Sequence, residues 1–150
     1  MIDDGLDQQV AALPPSITSR FGEICWGNGG TGYGWWPSII YDPRWTRGAD
    51  ARKHLGSRHL VYFYQCTETP FSILSNKDIK GWIEGLAHDY HLGRAAKTSG
   101  RHRYRSFQEA LYQACIKMDQ PAYERLDWDP GVETSSPVET KGKERAQPRN

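Results

Sequence analysis

The chain has 150 residues, of which 37% are hydrophobic and 25% charged, and its formal net charge is +1. This length fits one domain, and a mean hydropathy of −0.74 indicates that part of the chain is too polar to join a folded core. No apolar run reaches the ~18 residues of a membrane span, and the three widely spaced cysteines fit neither a disulfide framework nor a zinc site, so we expect reduced thiols in an intracellular protein.

The first forty residues predict a lead-in followed by two strands. Residues 1–20 are polar, and we expect a flexible N-terminal segment. Phe21–Trp26 predicts the first strand. The glycine-rich run Asn28–Gly32 requires positive φ or close backbone approach, which favours an arch between two strands. Trp35–Tyr41 then predicts the second strand.

A polar insertion over Asp42–Arg58 follows, and we expect a short helix around Asp50–Leu55 within it. The third strand is predicted over His59–Gln65, where the side chains alternate, and the fourth over Phe71–Leu74. A fifth strand is not evident from the pattern, and we expect at most a brief turn near Lys77–Ile79.

Helices are predicted in the remainder of the chain. Asp78–Leu92 carries apolar residues at helical spacing, and Gly93–Arg105 is interpreted as a basic connector. Ser106–Glu109 reads Ser-Phe-Gln-Glu, a capping box that predicts the start of the last helix. An apolar stripe from Phe107 to Met118 predicts that this helix packs on the strands.

The run Gly32–Pro37, which reads Gly-Tyr-Gly-Trp-Trp-Pro, resembles the signature of the PWWP domain, a Tudor-like chromatin reader. Five further segments resemble the family in its own order: Phe21–Trp26, Leu60–Gln65, Phe71–Leu74, Asn76–Ile79 and Phe107–Ala110. The resemblance implies a mainly β fold with appended α, that is, a small five-stranded Tudor-like (SH3-like) β-barrel followed by C-terminal helices. The implied domain covers residues 21–126, with the barrel over about 21–80, the helical part over about 81–126, and a disordered tail over 127–150.

Two features of this sequence modify the resemblance. The Asp42–Arg58 insertion, between strands 2 and 3, resembles the one in PWWP domains of the bromodomain and PHD finger type, which implies one wall of a peptide groove. Gly34 occupies the place of the first proline in the family name.

Adjacent tryptophans on a strand point to opposite faces, so one of Trp35 and Trp36 can be buried while the other meets a ligand. Ring faces attract quaternary ammonium groups, although paired aromatics also commonly pack a sheet, and a purely structural cluster is the alternative. The resemblance implies a methyl-lysine cage of Tyr33, Trp36 and Phe63, with Trp35 in the core. A register shift of one residue would replace Phe63 by Tyr62 or Tyr64.

Polar residues are implied at the rim of this cage, and the candidates are Glu68 and, more weakly, Gln65 and Cys66. A second, electrostatic site is implied by the charge distribution. Residues 21–118 hold eight acids and thirteen bases, a formal charge of +5, whereas the whole chain carries only +1. The implied DNA-binding residues are Lys77, Lys80, Lys97, Arg101, Arg103 and Arg105. A solvated run of charge is the alternative.

Together these observations predict a nuclear chromatin reader that binds methylated lysine on a histone tail and contacts nucleosomal DNA nonspecifically. The first expectation from the resemblance is histone H3 trimethylated at its thirty-sixth residue. Nucleophile motifs and nucleotide or metal fingerprints are absent from the sequence, so we expect no enzyme activity, cofactor, metal or membrane partner. We expect a monomeric module of a larger protein or complex. The alternatives are a nucleic-acid-binding Tudor-like domain with a vestigial cage, and a protein-interaction module of a larger chromatin complex.

Overall fold

The computed structural model describes residues 4–46, 57–67 and 70–127. Within them the strands are β1 (Ile24–Asn28), β2 (Trp35–Tyr41), β3 (His59–Phe63), β4 (Phe71–Leu74) and β5 (Ile79–Gly81). The α-helices are α1 (Asp4–Ala11), α2 (Pro15–Thr18), α3 (Trp82–Ala87), α4 (Arg94–Ser99) and α5 (Arg101–Met118). Short 3-10 turns lie at Pro43–Trp45, Asn76–Asp78, Tyr90–Leu92 and Ala122–Glu124.

The strands form one antiparallel sheet in the order β4-β3-β2-β1-β5. The glycine arch joins β1 to β2, and Asn28 pairs with Trp35 at its base. No ladder joins β4 to β5 in the part of the chain that the structure describes, so the five strands do not close into a hydrogen-bonded ring. The predicted fold class, a five-stranded Tudor-like β unit followed by helices, is confirmed.

The core lies between the sheet and the helices and is built around Trp26, which is fully buried. Its indole stacks on Trp82 at the start of α3, with 4.3 Å between the ring centroids, and packs beside Phe107 of α5. A side chain at Gly85 would overlap the Trp26 ring, so only glycine lets α3 approach this closely. Ala110 and Ala114 of α5 are also fully buried and allow the last helix to lie against β2.

The segment after β4 differs from the sequence prediction. Ile79–Gly81 forms β5 and pairs with β1, whereas we expected a turn followed by a helix over Asp78–Leu92. The helix is confined to Trp82–Ala87. Backbone groups on the free edge of β1 need hydrogen-bond partners, and Ile79 is buried when the segment is extended, so tertiary pairing outweighs the local helical pattern.

The basic connector is also helical. Residues 94–99 form α4, and α5 begins at Arg101 rather than at the Ser106 capping box. The breaks are at Gly93 and Gly100, whose φ angles are 62° and 136°. These two glycines end the local helices, and they place the basic residues on helical surfaces instead of on a loop.

The described part of the N-terminal segment contains α1 and α2, where the sequence predicted no regular element; its expected flexibility stays a prediction. Val10 and Ile17 are buried, and Arg44 joins α1 to the Pro43–Trp45 turn because its guanidinium lies 2.9 Å from Asp7 and 2.6 Å from Asp42. The helix expected around Asp50–Leu55 falls in residues 47–56, which lie outside the described residues, as does nearly all of the expected tail, residues 128–150.

Candidate functional site

The arch between β1 and β2 is closed by its own backbone. The Gly29 N–H donates to the Gly34 carbonyl at 2.8 Å, and the Gly34 N–H donates to the Gly30 carbonyl at 2.9 Å. Gly34 has φ of 68°, a conformation that proline cannot adopt because its ring holds φ near −65°. The departure from the family signature at Gly34 is therefore part of this arch, which carries Tyr33 at its end.

A small pocket opens beside the arch and is lined by Gly29, Tyr33, Trp36, Phe63 and Cys66. The rings of Tyr33 and Trp36 meet edge to face, with centroids 5.3 Å apart and planes 70° apart. The pocket volume is about 30 Å³, room for about two water molecules, so a trimethylammonium group needs it to widen. Of the three aromatic walls, Tyr33 is the least buried.

Trp36 forms the floor of the pocket and is only 1% exposed. Its indole N–H donates to the Tyr64 carbonyl at 2.7 Å, and Phe107 of α5 packs edge-on against its ring at 5.4 Å. Trp35 points to the opposite face, as expected, but it is half-buried and stacks on Tyr90 at 5.0 Å. The prediction that Trp35 is the core member of the pair was wrong, because Trp36 is the more deeply buried of the two and packs against Phe107 of α5.

Phe63 reaches the pocket through the register of β2 and β3. Phe63 pairs with Ser38, which lies two residues after Trp36 on the same face of β2. A Cβ atom at Gly27 would lie 2.7 Å from the Phe63 ring, so glycine at this position in β1 makes room for it. The sequence analysis missed Gly27, although a glycine inside a strand is itself a signal of close approach.

Tyr62 and Tyr64, the alternatives to Phe63, lie elsewhere. Their rings contact each other at 5.6 Å, and Tyr62 also packs near Tyr41 and Phe71. Burial raises the pKa of the Tyr64 phenol, so its hydroxyl group stays protonated. The one-residue shift that would exchange these tyrosines with Phe63 is not observed.

The residues at the rim of the pocket differ from the polar rim predicted from the sequence. Gln65 is exposed, and its amide donates to Gln113 of α5 at 2.7 Å, away from the pocket lining. Glu68 lies outside the described residues. Cys66, only a weak candidate from sequence, lines the pocket directly. None of the five described lining residues carries a charge.

The basic residues fall into distinct environments. Arg101 and Arg105 are exposed on the first two turns of α5, and Lys77 is exposed on the turn before β5. Lys97 is exposed on α4, with its ammonium 5.4 Å from the Tyr104 ring centroid. The Lys80 ammonium lies 4.0 Å from Glu84, and Arg103 turns toward the arch.

A second, wider hollow adjoins the pocket and also uses Tyr33. It has a volume of about 210 Å³ and is walled by Trp35 and Tyr90, with Asp89 and Arg94 among its other lining residues. Tyr33 therefore borders two hollows, so contacts outside the pocket influence the position of this ring.

Two further features of the described residues concern membranes and metal ions. None of their helices is both long and apolar enough to cross a bilayer. Within the same residues, histidine, cysteine and acidic side chains do not gather in groups of three or more suited to a metal ion.

The family model of the PWWP domain matches residues 22–119, which reach from just before β1 to the end of α5. The chain belongs to the PWWP-domain family. PWWP domains are chromatin-associated reader modules rather than a family of enzymes, and the aromatic cluster at the arch of this PWWP domain agrees with that general role. The likeness of its insertion to the bromodomain and PHD finger type stays a prediction. No curated protein matches the chain significantly.

Proposed function

We propose that this PWWP domain binds a methylated lysine of a histone tail in the pocket of Tyr33, Trp36 and Phe63. The observation that carries the proposal is the convergence of three rings, from the arch, β2 and β3, on one pocket with an uncharged described lining. Such convergence is not needed for packing alone, since Trp26 and its neighbours already supply an aromatic core on α3 and α5.

The chemistry of the lining favours a fully methylated ammonium group. An unmodified lysine carries three N–H donors, which lose their partners when buried among rings. Trimethylation removes the donors and keeps the charge, and ring faces attract that charge. The nearby Tyr64 carbonyl already accepts the Trp36 indole N–H, so we infer a preference for trimethyl-lysine over unmodified lysine.

The first candidate ligand is histone H3 trimethylated at its thirty-sixth residue, as membership of the family suggests, and the protein would then act in the nucleus. We expect a weak interaction with an isolated peptide. The pocket must widen, the flexible tail must become ordered, and cation–ring contacts contribute only about 0.5–2 kcal/mol each.

Nonspecific DNA contact is the second part of the proposal. It is supported by the exposed cations Lys77, Lys97, Arg101 and Arg105, with a smaller role for the Glu84-paired Lys80. Phosphate contacts next to a bound tail raise the effective concentration of each ligand for its own site. A nucleic-acid-binding domain with a vestigial cage is the alternative, and the small volume of the pocket is the observation in its favour.

An NMR titration of ¹⁵N-labelled protein tests the proposal. A histone H3 peptide with a trimethylated lysine should shift the Trp36 indole N–H and the amides of Gly29 and Cys66, and the matched unmethylated peptide should not. A short DNA duplex should instead shift amides around Arg101 and Arg105. If DNA causes shifts and neither peptide does, the nucleic-acid alternative replaces the reader proposal.

A further inference from the structure

Arg103 is the one basic candidate on α5 that contacts the aromatic pocket in the described structure. The central carbon of its guanidinium lies 3.8 Å from the centroid of the Tyr33 ring, a close cation–ring contact. Its Nη1 also donates to the Gly32 carbonyl at 3.0 Å. One side chain therefore contacts both the backbone of the arch and the aromatic ring that the arch carries.

A second helical residue supports the same point of the arch. The Ser99 hydroxyl, at the end of α4, donates to the Gly32 carbonyl at 2.7 Å. Gly32 has φ of 84°, and a Cβ atom there would lie 3.0 Å from Arg103 Nη1 and 3.1 Å from Ser99 Oγ. The backbone conformation thus favours glycine, and a side chain there would also crowd the two donors that meet at its carbonyl.

The neighbours of Arg103 on α5 behave differently. Arg101 and Arg105 are exposed, whereas Arg103 is half-buried between the helix and the arch. A guanidinium that stacks on a ring and donates to a carbonyl has fewer free N–H groups to offer a phosphate. The basic run therefore contains exposed arginines that are free to meet phosphate and one half-buried arginine, Arg103, that contacts the arch.

We propose that Arg103 is a positioning residue that orients Tyr33, the least buried wall of the pocket, rather than a DNA contact. This inference rests on the proposed function. Trp36 is held by its hydrogen bond and by burial, whereas Tyr33 is less buried and stands at the end of a glycine arch, where the Arg103 contact orients its ring. A wall that is already oriented loses less conformational freedom when the ligand binds, which strengthens binding.

The charge of Arg103 acts in the opposite direction. A fixed cation beside Tyr33 repels an arriving trimethylammonium group, so removing the charge alone would tighten binding. The positioning role therefore predicts that loss of Arg103 weakens peptide binding, whereas charge repulsion predicts that it strengthens peptide binding. We expect positioning to dominate, because the arginine orients the arch and the ring together.

The test compares Arg103→Gln and Arg103→Lys with Lys117→Gln, a matched control that removes one charge from the last turn of the same helix. Each protein is titrated with the trimethyl-lysine H3 peptide, and its thermal unfolding is recorded. Arg103→Gln should weaken binding about 3- to 10-fold, the size expected for one lost hydrogen bond and its associated contact. Arg103→Lys should restore part of the loss. Lys117→Gln should leave the peptide affinity unchanged.

A second readout does not depend on any ligand. In the free protein the Arg103 Nε–H resonance should carry an upfield ring-current shift that disappears in Tyr33→Leu, and its absence from the unsubstituted protein would overturn the positioning contact. Equal or tighter peptide binding by Arg103→Gln than by the unsubstituted protein would overturn the positioning role alone. If the unsubstituted protein does not bind the methylated peptide, the proposed function fails and the positioning role fails with it.

Discussion

Trp36 donates its indole N–H to the carbonyl oxygen of Tyr64 at 2.7 Å. This hydrogen bond links Trp36 in β2 to Tyr64, the residue just after β3. The Tyr64 N–H in turn donates to the Pro37 carbonyl in β2 at 3.1 Å. Trp36, which forms the floor of the aromatic pocket, therefore also helps to hold β2 against the end of β3. The Trp36 ring therefore serves the fold as well as the proposed cage, whereas Tyr33 lies at the edge of the pocket and is less buried.

The first prediction concerns the two tryptophans. Trp36→Ala should lower the free energy of unfolding by about 3–5 kcal/mol, because it removes a buried aromatic ring and leaves the Tyr64 carbonyl without its partner. Trp35→Ala should cost clearly less, because Trp35 is half-buried and stacks mainly on Tyr90. Urea denaturation measures both values, and a larger loss for Trp35→Ala would contradict this assignment of the pair.

The second prediction separates binding from folding. Tyr33→Ala should abolish detectable binding of a trimethyl-lysine peptide while leaving the urea midpoint nearly unchanged, since Tyr33 is at the pocket edge rather than in the core. Tyr112→Ala is the matched control, because Tyr112 is 70% exposed on α5. Retained binding by Tyr33→Ala would remove this ring from the proposed cage.

Sequence reasoning found the strands through alternation and the glycine arch, and β2 and β4 have the predicted bounds. It could not find β5, because Ile79–Gly81 is extended only in response to the free edge of β1. The start of α5 was misplaced for a related reason. The Ser106 capping box is a valid local signal, but Gly100 ends the preceding helix and lets α5 begin at Arg101.

The candidate site was predictable in part. Period-2 alternation puts Phe63 on the face opposite Tyr62 and Tyr64, and β3 keeps that register. The relative burial of Trp35 and Trp36 was not predictable, since alternation separates the two faces without saying which side chain will be buried more deeply. The Arg103–Tyr33 contact also lies beyond sequence reasoning, because a basic run predicts a charged surface and not the inward turn of one of its members.

The third prediction tests the basic surface. The double substitution Arg101→Gln and Arg105→Gln should weaken binding to duplex DNA. If both side chains contact phosphate, it should also flatten the dependence of log K on log salt by about 2. Lys117→Gln is the control, since Lys117 lies in the last turn of α5 and pairs with Asp127 at 3.1 Å. Fluorescence anisotropy at several salt concentrations measures both effects. Unchanged affinity in the double variant would mean that the run is a solvated face.

The fourth prediction concerns pH. Burial, with a smaller contribution from Arg20, lowers the pKa of His59 below its ordinary value of 6.5. The unfolded chain therefore binds a proton at a pH where the folded protein does not. The contribution of neutral His59 to the free energy of unfolding is fully present above about pH 6.5 and declines as the pH falls below that value. His59→Gln should show a shallower loss of unfolding free energy between pH 7 and 5, and an equally steep loss would contradict the role of His59.

The central claim, that the pocket of Tyr33, Trp36 and Phe63 reads methylated lysine, is tested most directly by isothermal titration calorimetry. Two histone H3 peptides are compared that differ only in the three methyl groups on the lysine at the thirty-sixth residue. The account predicts weak but measurable binding of the trimethylated peptide and at least about tenfold weaker binding of the unmodified one, because the latter buries N–H donors without partners. Equal affinities for the two peptides would contradict it.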